Sequence, residues 1–197
     1  MLALTIRPHR PAGLTLIEVM VALAIVAILG LVAVPSFVAY QRNSELSSAA
    51  NSLLSAVTMA RSEAMKRNLK VLVVPFSENS WASGWKVFAD NNKDGTFSLG
   101  DDVIAQRDAL LPSYFATPVG TNNAAAGTPG GPYLMFDGSG YAANRGAGSV
   151  YNLSIQFSRT DDTSPRQKRF LIVAVTGRAR VCTPTVANDA LCNASNL

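Results

Sequence analysis

The hydropathy pattern changes twice along the chain. From Leu14 to Val34 there are 21 residues with one charge, Glu18, and one hydroxyl, Thr15. As a helix this run is about 30 Å long, the thickness of a bilayer's hydrocarbon core. Pro35 follows, and with Gly30 it marks a weak point in the helix, because proline removes a backbone donor. Beyond it, Leu46, Ala50, Leu53, Leu54, Val57, Ala60 and Ala64 recur at three- and four-residue spacing. That is a stripe for packing a sheet. Arg42, Glu45, Arg61, Glu63, Lys66 and Arg67 fall largely off the stripe, and the helix is expected to end near Asn68.

From Lys70 the period becomes two. The segments Lys70–Phe76, Trp85–Asp90, Asp102–Gln106, Tyr133–Phe136, Val150–Phe157 and Arg169–Val175 read as strands. Pro112 to Pro132, rich in Gly, Pro, Asn, Ala and Thr, reads as a loop. One long helix followed by strands and short turns predicts an α+β fold, with an antiparallel sheet wrapped on the helix.

Arg7, His9 and Arg10 precede the apolar run with no acidic residue among them. The positive-inside rule therefore keeps the first 13 residues cytoplasmic and sends the rest outward. A secretory signal would have a shorter apolar core and a cleavage loop after it. A plain anchor explains the length but not Glu18, a carboxylate costing about 2.5–3.5 kcal/mol within an apolar span and therefore calling for a partner.

Gly13-Leu14-Thr15-Leu16-Ile17-Glu18 resembles the class III signal of type IV pilins and type II secretion pseudopilins, which usually have Phe where Leu14 stands. The resemblance implies cleavage by a prepilin peptidase after Gly13, methylation of Leu14, and pairing of Glu18 with the α-amino group of a neighbouring subunit in a filament. Met59-Ala60-Arg61-Ser62-Glu63-Ala64, Trp81 to Trp85, Val87 to Asn92 and Gly177 are similar to the GspH/FimT branch. The resemblance implies a type IV pilin-like fold divided into a leader (1–13), a transmembrane or filament-core helix (14–35) and a periplasmic domain (36–197).

Net charge is +4, unevenly spread. Phe76 to Leu110 holds 3 basic and 6 acidic residues, and Arg145 to Arg180 holds 7 basic and 2 acidic. The last third is thus expected to present a cationic face. Cys182 and Cys192 lie on the oxidising side, where a disulfide is the favoured reading. Zinc is the lesser one, because the single histidine, His9, is in the leader.

Asp90-Asn91-Asn92-Lys93-Asp94-Gly95, with Asp101 beyond, matches the spacing of an EF-hand calcium loop with Asp in place of the final Glu. The strand-like flanks and the turn-capping habit of Asn and Asp favour a self-capped hairpin turn, so no metal and no cofactor is assigned. No nucleophile elbow, phosphate loop or catalytic histidine is present, so the chain does not read as an enzyme.

Gly177-Arg178-Ala179-Arg180 follows the last strong strand. In extended backbone Arg178 and Arg180 point the same way, with Arg166, Lys168 and Arg169 adding charge upstream. The plain reading is a solvated strand end, but this GRxR motif resembles the DNA-binding tail of FimT-type pilins that serve natural transformation. It implies a minor pilin that binds double-stranded DNA for uptake, with other pilins, the peptidase and the inner membrane as partners. The alternative is a structural H-type pseudopilin of type II secretion, which needs no DNA affinity.

Overall fold

The protein is described here by a computed structural model over residues 13–77, 80–119, 124–125, 128, 130–146, 150, 152–162 and 164–192. The basic leader residues Arg7, His9 and Arg10 lie outside these. Helix α1 runs from Leu16 to Arg67, 52 residues, through Gly30 and Pro35. It starts on Thr15, whose Oγ1 accepts the Glu18 N–H at 3.3 Å. Thr15 and Glu18 thus hold the N-cap and N3 positions of a capping-box pattern. It stops at Asn68, which takes a φ of 51°, while the Leu69 N–H returns to the Ala64 carbonyl at 3.3 Å. This is the six-to-one closure of a Schellman end.

The chain separates into two compact units, one ending at Arg42 and the other running from Asn43 to Leu197. In the first, the large apolar side chains from Leu14 to Tyr40 that the structure describes are exposed. In the second, Leu46, Ala49, Ala50, Leu53, Ala56, Val57, Ala60 and Ala64 are buried on one face of α1, the face that the stripe predicts.

Two four-stranded antiparallel sheets complete this unit, where the sequence suggested one. Their strands are β1 (Val71–Ser77), β2 (Ser80–Ala89), β3 (Asp102–Arg107), β4 (Tyr114–Val119), β5 (Leu134–Phe136), β6 (Leu153–Arg159), β7 (Arg169–Val173) and β8 (Ala179–Cys182). The first sheet has the order β3-β2-β1-β5 and the second β4-β6-β7-β8. Strand β4 lies in the stretch read as loop. It contains Pro118 and is a sheet edge, the position where a missing N–H is tolerated.

Val71, Val73, Val87, Ile155, Phe157, Leu171 and Val173 join the helix stripe in one core. The alternate residues Leu72, Val74 and Phe88 form a second, smaller cluster with Tyr133 and Met135. Because β1 is thus covered on both faces, it reads as an unbroken apolar run and not as an alternating one.

Candidate assembly and nucleic-acid interface

Leu14, Leu16 and Ile17 are each more than half exposed, as are most apolar side chains along the first half of α1. A helix that is apolar all round and left exposed by the described residues is suited to being surrounded by lipid or by other apolar helices. At Gly13, a Cβ would meet nothing within 4 Å among the described residues, and no positive φ requires glycine there. The described residues therefore make no demand for glycine at that position.

The Gly177-Arg178-Ala179-Arg180 segment forms the return of the β7–β8 hairpin. Gly177 N–H donates to the Ala174 carbonyl at 2.9 Å and Ala174 N–H to the Arg178 carbonyl at 2.8 Å. Gly177 has a φ of 79°, so this is a three-residue hairpin loop with glycine in the left-handed position. A Cβ on Gly177 would come within 2.1 Å of the Gly140 carbonyl oxygen. Gly177 was expected among the DNA-binding residues; its evident duty is to let two turns approach. Arg61, on α1, clamps both turns, donating from Nε to the Gly140 carbonyl at 2.9 Å and from a terminal nitrogen to the Thr176 carbonyl at 3.3 Å. The charge pattern of the helix alone did not reveal this role; its only signal is a basic residue next to the apolar stripe.

Arg178 is exposed, and its side chain makes no hydrogen bond or ion pair within the described residues. Arg180 differs. It sits opposite Ile172 in the ladder, is half-buried, and donates to the Leu191 carbonyl at 2.7 Å. Its Nε is buried without a partner. Leu191 belongs to the loop closed by the disulfide Cys182–Cys192, ten residues apart. Asp189 stiffens this loop by accepting the N–H groups of Thr185 and Leu191, each at 3.0 Å, and these bonds hold its carboxyl below the usual range. The bridge expected from the compartment is therefore present, and its loop grips one of the two arginines.

The cationic face is thinner than the sequence suggests. Arg169 is 9% exposed, donating to Ser47 Oγ at 3.0 Å, to the Arg166 and Lys168 carbonyls at 2.9 and 2.8 Å, and to Asn43 Oδ1 at 3.3 Å. Burial pushes its pKa down. It is a strut between β7 and α1 and is withdrawn from the candidate surface. Arg159 is buried against Asp161, and this hydrogen-bonded pairing raises its pKa. Arg166 is exposed and Lys168 half-buried, at the end of β7 away from the hairpin loop. Five residues of extended chain lie between Lys168 and Ala174, a span of about 20 Å. The remaining cations are spread from the segment before β7 to the hairpin loop and do not form a cluster.

In the 90–101 loop, the Asx turns expected from the sequence are present. Asn92 Oδ1 accepts the Asp94 N–H at 3.1 Å, and Asp94 Oδ1 accepts the Thr96 N–H at 2.6 Å. The bond from the Thr96 backbone is the main reason the Asp94 carboxyl sits below its usual range. Asp101 accepts from the Asn91 and Ser98 N–H groups at 3.0 and 2.8 Å. Among the described residues no three acidic, His or Cys side chains gather tightly enough to hold a metal by themselves.

Comparison with protein families gives two matches. The profile described as "Type II transport protein GspH" covers residues 49–177, and the "Prokaryotic N-terminal methylation motif" covers residues 8–34. A comparison with curated proteins gives no match. Among solved structures, the type IV minor pilin FimU of Pseudomonas aeruginosa PAO1 is similar at 17% identity and a TM-score of 0.52, over 75% of this chain and 98% of that one. The minor pseudopilin EpsH of the Vibrio cholerae type II secretion system is similar at 12% identity and a TM-score of 0.52, over 74% and 99%. At such identities these likenesses speak for the fold, a long N-terminal helix on antiparallel sheets. The family match carries the assignment: the chain belongs to the GspH family and is a minor pilin or pseudopilin, a structural subunit that assembles with other pilins and not an enzyme.

Proposed function

We propose that this subunit is cut after Gly13 by a prepilin peptidase and methylated at Leu14. The segment 14–35 then anchors it in the inner membrane with residues 36–197 on the periplasmic side, and from there it enters a pilus filament and binds duplex DNA for uptake. The methylation-motif match and the free Gly13 support the processing step, because a glycine the fold does not need is available as a recognition element. Glu18 lies one turn into an exposed apolar helix, where a carboxylate is tolerable only with a cationic partner. The freed α-amino group of a neighbouring subunit supplies one.

The observation that carries the DNA reading is the exposed Arg178 on a hairpin fixed by Gly177, Arg61 and the disulfide loop. A cation on a rigid edge loses little side-chain support on meeting a phosphate; Arg180 on β8, and Lys168 and Arg166 before β7, extend the charge away from the hairpin loop. Such a row reads backbone and not bases, as uptake of any sequence requires. Binding by one subunit is expected in the range of about 10⁻⁴–10⁻⁶ M and weakens with salt; several subunits on one filament raise it through avidity.

The second reading is a structural pseudopilin of type II secretion. The family profile's own description favours it, as does the tying of Arg180 to Leu191. Gel-shift titration of the full chain in non-ionic detergent with unrelated duplexes separates the two. The DNA reading expects wild-type binding, a large loss for Arg178→Ala, and little further loss for Arg178→Ala/Arg180→Ala. Undiminished binding by the double variant, or none by wild type at low salt, leaves the secretion reading in place.

A further inference from the structure

The most demanding group outside the hairpin is Asp90. Its side chain is fully buried. One carboxylate oxygen, Oδ2, accepts the Gly95 N–H at 3.0 Å from across the loop. The other, Oδ1, is buried with no hydrogen-bond partner. Burying half of a carboxylate unsatisfied is costly, and native structures normally supply a donor or a cation. The Gly95 bond ties this carboxylate across the first half of the 90–101 loop and leaves Oδ1 as its unsatisfied oxygen.

The loop carries oxygen donors at the spacing of a calcium-binding loop. Asp90, Asn92, Asp94, Thr96, Ser98 and Asp101 occupy its first, third, fifth, seventh, ninth and twelfth positions, with Gly95 at the sixth. Gly95 has a φ of 74°, the left-handed turn this position requires. The third, fifth and ninth side chains already meet: Asn92 Nδ2 lies 2.7 Å from Asp94 Oδ2 and 2.8 Å from Ser98 Oγ. The carboxylates do not converge by themselves because each is engaged with N–H groups of its own loop. A calcium loop, moreover, draws part of its shell from an amide, a hydroxyl and a carbonyl. The flanking elements are strands β2 and β3 and not helices, but the donor spacing is a property of the twelve residues and not of what they join.

Arg145 is the competing source of positive charge. Its Nε donates to the Gly95 carbonyl at 2.5 Å, and a terminal nitrogen donates to the Gly130 and Gly131 carbonyls at 2.6 and 2.8 Å. Its guanidinium stacks on Tyr133 at 4.1 Å. It therefore braces the loop through carbonyls and is attracted to Asp94 and Asp90, yet Asp90 Oδ1 has no hydrogen-bond partner with Arg145 in place.

We propose that residues 90–101 bind one calcium ion through Asp90, Asn92, Asp94 and Asp101, with the Thr96 carbonyl and Ser98 completing an all-oxygen shell. The loop is open and mostly exposed, which suits the affinity of extracellular modules, about 10⁻⁴–10⁻³ M. Calorimetric titration of the full chain in non-ionic detergent with calcium chloride tests this. One equivalent should bind in that range, raising the thermal midpoint, with a markedly smaller effect from equal magnesium. Asp94→Ala and Asn92→Ala, both exposed positions whose folding is checked by the midpoint in chelator, should each weaken binding by tenfold or more. No saturable binding, an equal response to magnesium, or unchanged affinity in both folded variants overturns the proposal and leaves Arg145 as the loop's counter-charge.

Discussion

The two stretches of α1 on either side of Arg42 share one secondary structure and carry opposite patterns. Before it, Leu16, Ile17, Met20, Leu23, Ile25, Ile28, Leu29 and Leu31 are exposed; after it, Leu46, Ala50, Leu53, Val57, Ala60 and Ala64 are completely buried. Helix propensity does not distinguish them, because the strong helix formers Leu and Ala recur in both. The solvent each was written for does. An apolar surface on all sides can be covered only by lipid or by other subunits, whereas a single stripe is covered by the chain's own sheets. The first stretch thus holds information about assembly and the second about folding.

The strongest way to break this comparison is at Glu18. If its charge serves a neighbouring subunit, Glu18→Ala and Glu18→Gln should both be processed normally, as judged by mass, yet be almost absent from sheared filaments. Glutamine keeps the capping-box chemistry at the N3 position. Wild-type incorporation of Glu18→Gln would make the residue a helix cap and remove the pairing argument.

A smaller effect sharpens the other side. Leu53→Ala should destabilise the domain by about 2–5 kcal/mol, the cost of a cavity in a packed core. Ile25→Ala should leave the same denaturant midpoint unmoved, because Ile25 is exposed. Equal shifts in the two variants would show that the first stretch contributes to the domain's own core.

The smallest expected effect is a titration. Burial alone would raise the Asp137 carboxyl, but hydrogen bonds from the Ser139 hydroxyl and N–H and from the Tyr141 N–H outweigh it and hold the pKa below the usual range. A depressed carboxylate contributes stability that is present above its unfolded pKa, about 3.9, and is lost as pH falls through the folded value. Asp137→Asn should therefore flatten the acid limb of the domain's stability, with its largest difference from wild type above about pH 4. An unchanged acid limb would assign that limb to Asp94, Asp162 and Asp189, which are also depressed.

Local pattern determined much of this protein. The apolar length, the Gly13-to-Glu18 spacing and the stripe on α1 depend on neighbours within a turn or two, and so do the Asx turns of the 90–101 loop. These features read directly from the chain. Strand β4 escaped because its stability comes from pairing with β6, and an edge position excuses Pro118. The division into two sheets escaped for the same reason, since strand partners are set by contacts distant in sequence. Among the candidate residues, charge was legible but availability was not. Arg166, Arg169, Arg178 and Arg180 are indistinguishable as letters, yet one is a strut to α1, one is held by the disulfide loop and two are exposed. Burial of a long cationic side chain depends on which carbonyls and hydroxyls the fold brings within its reach, and only the tertiary structure decides that.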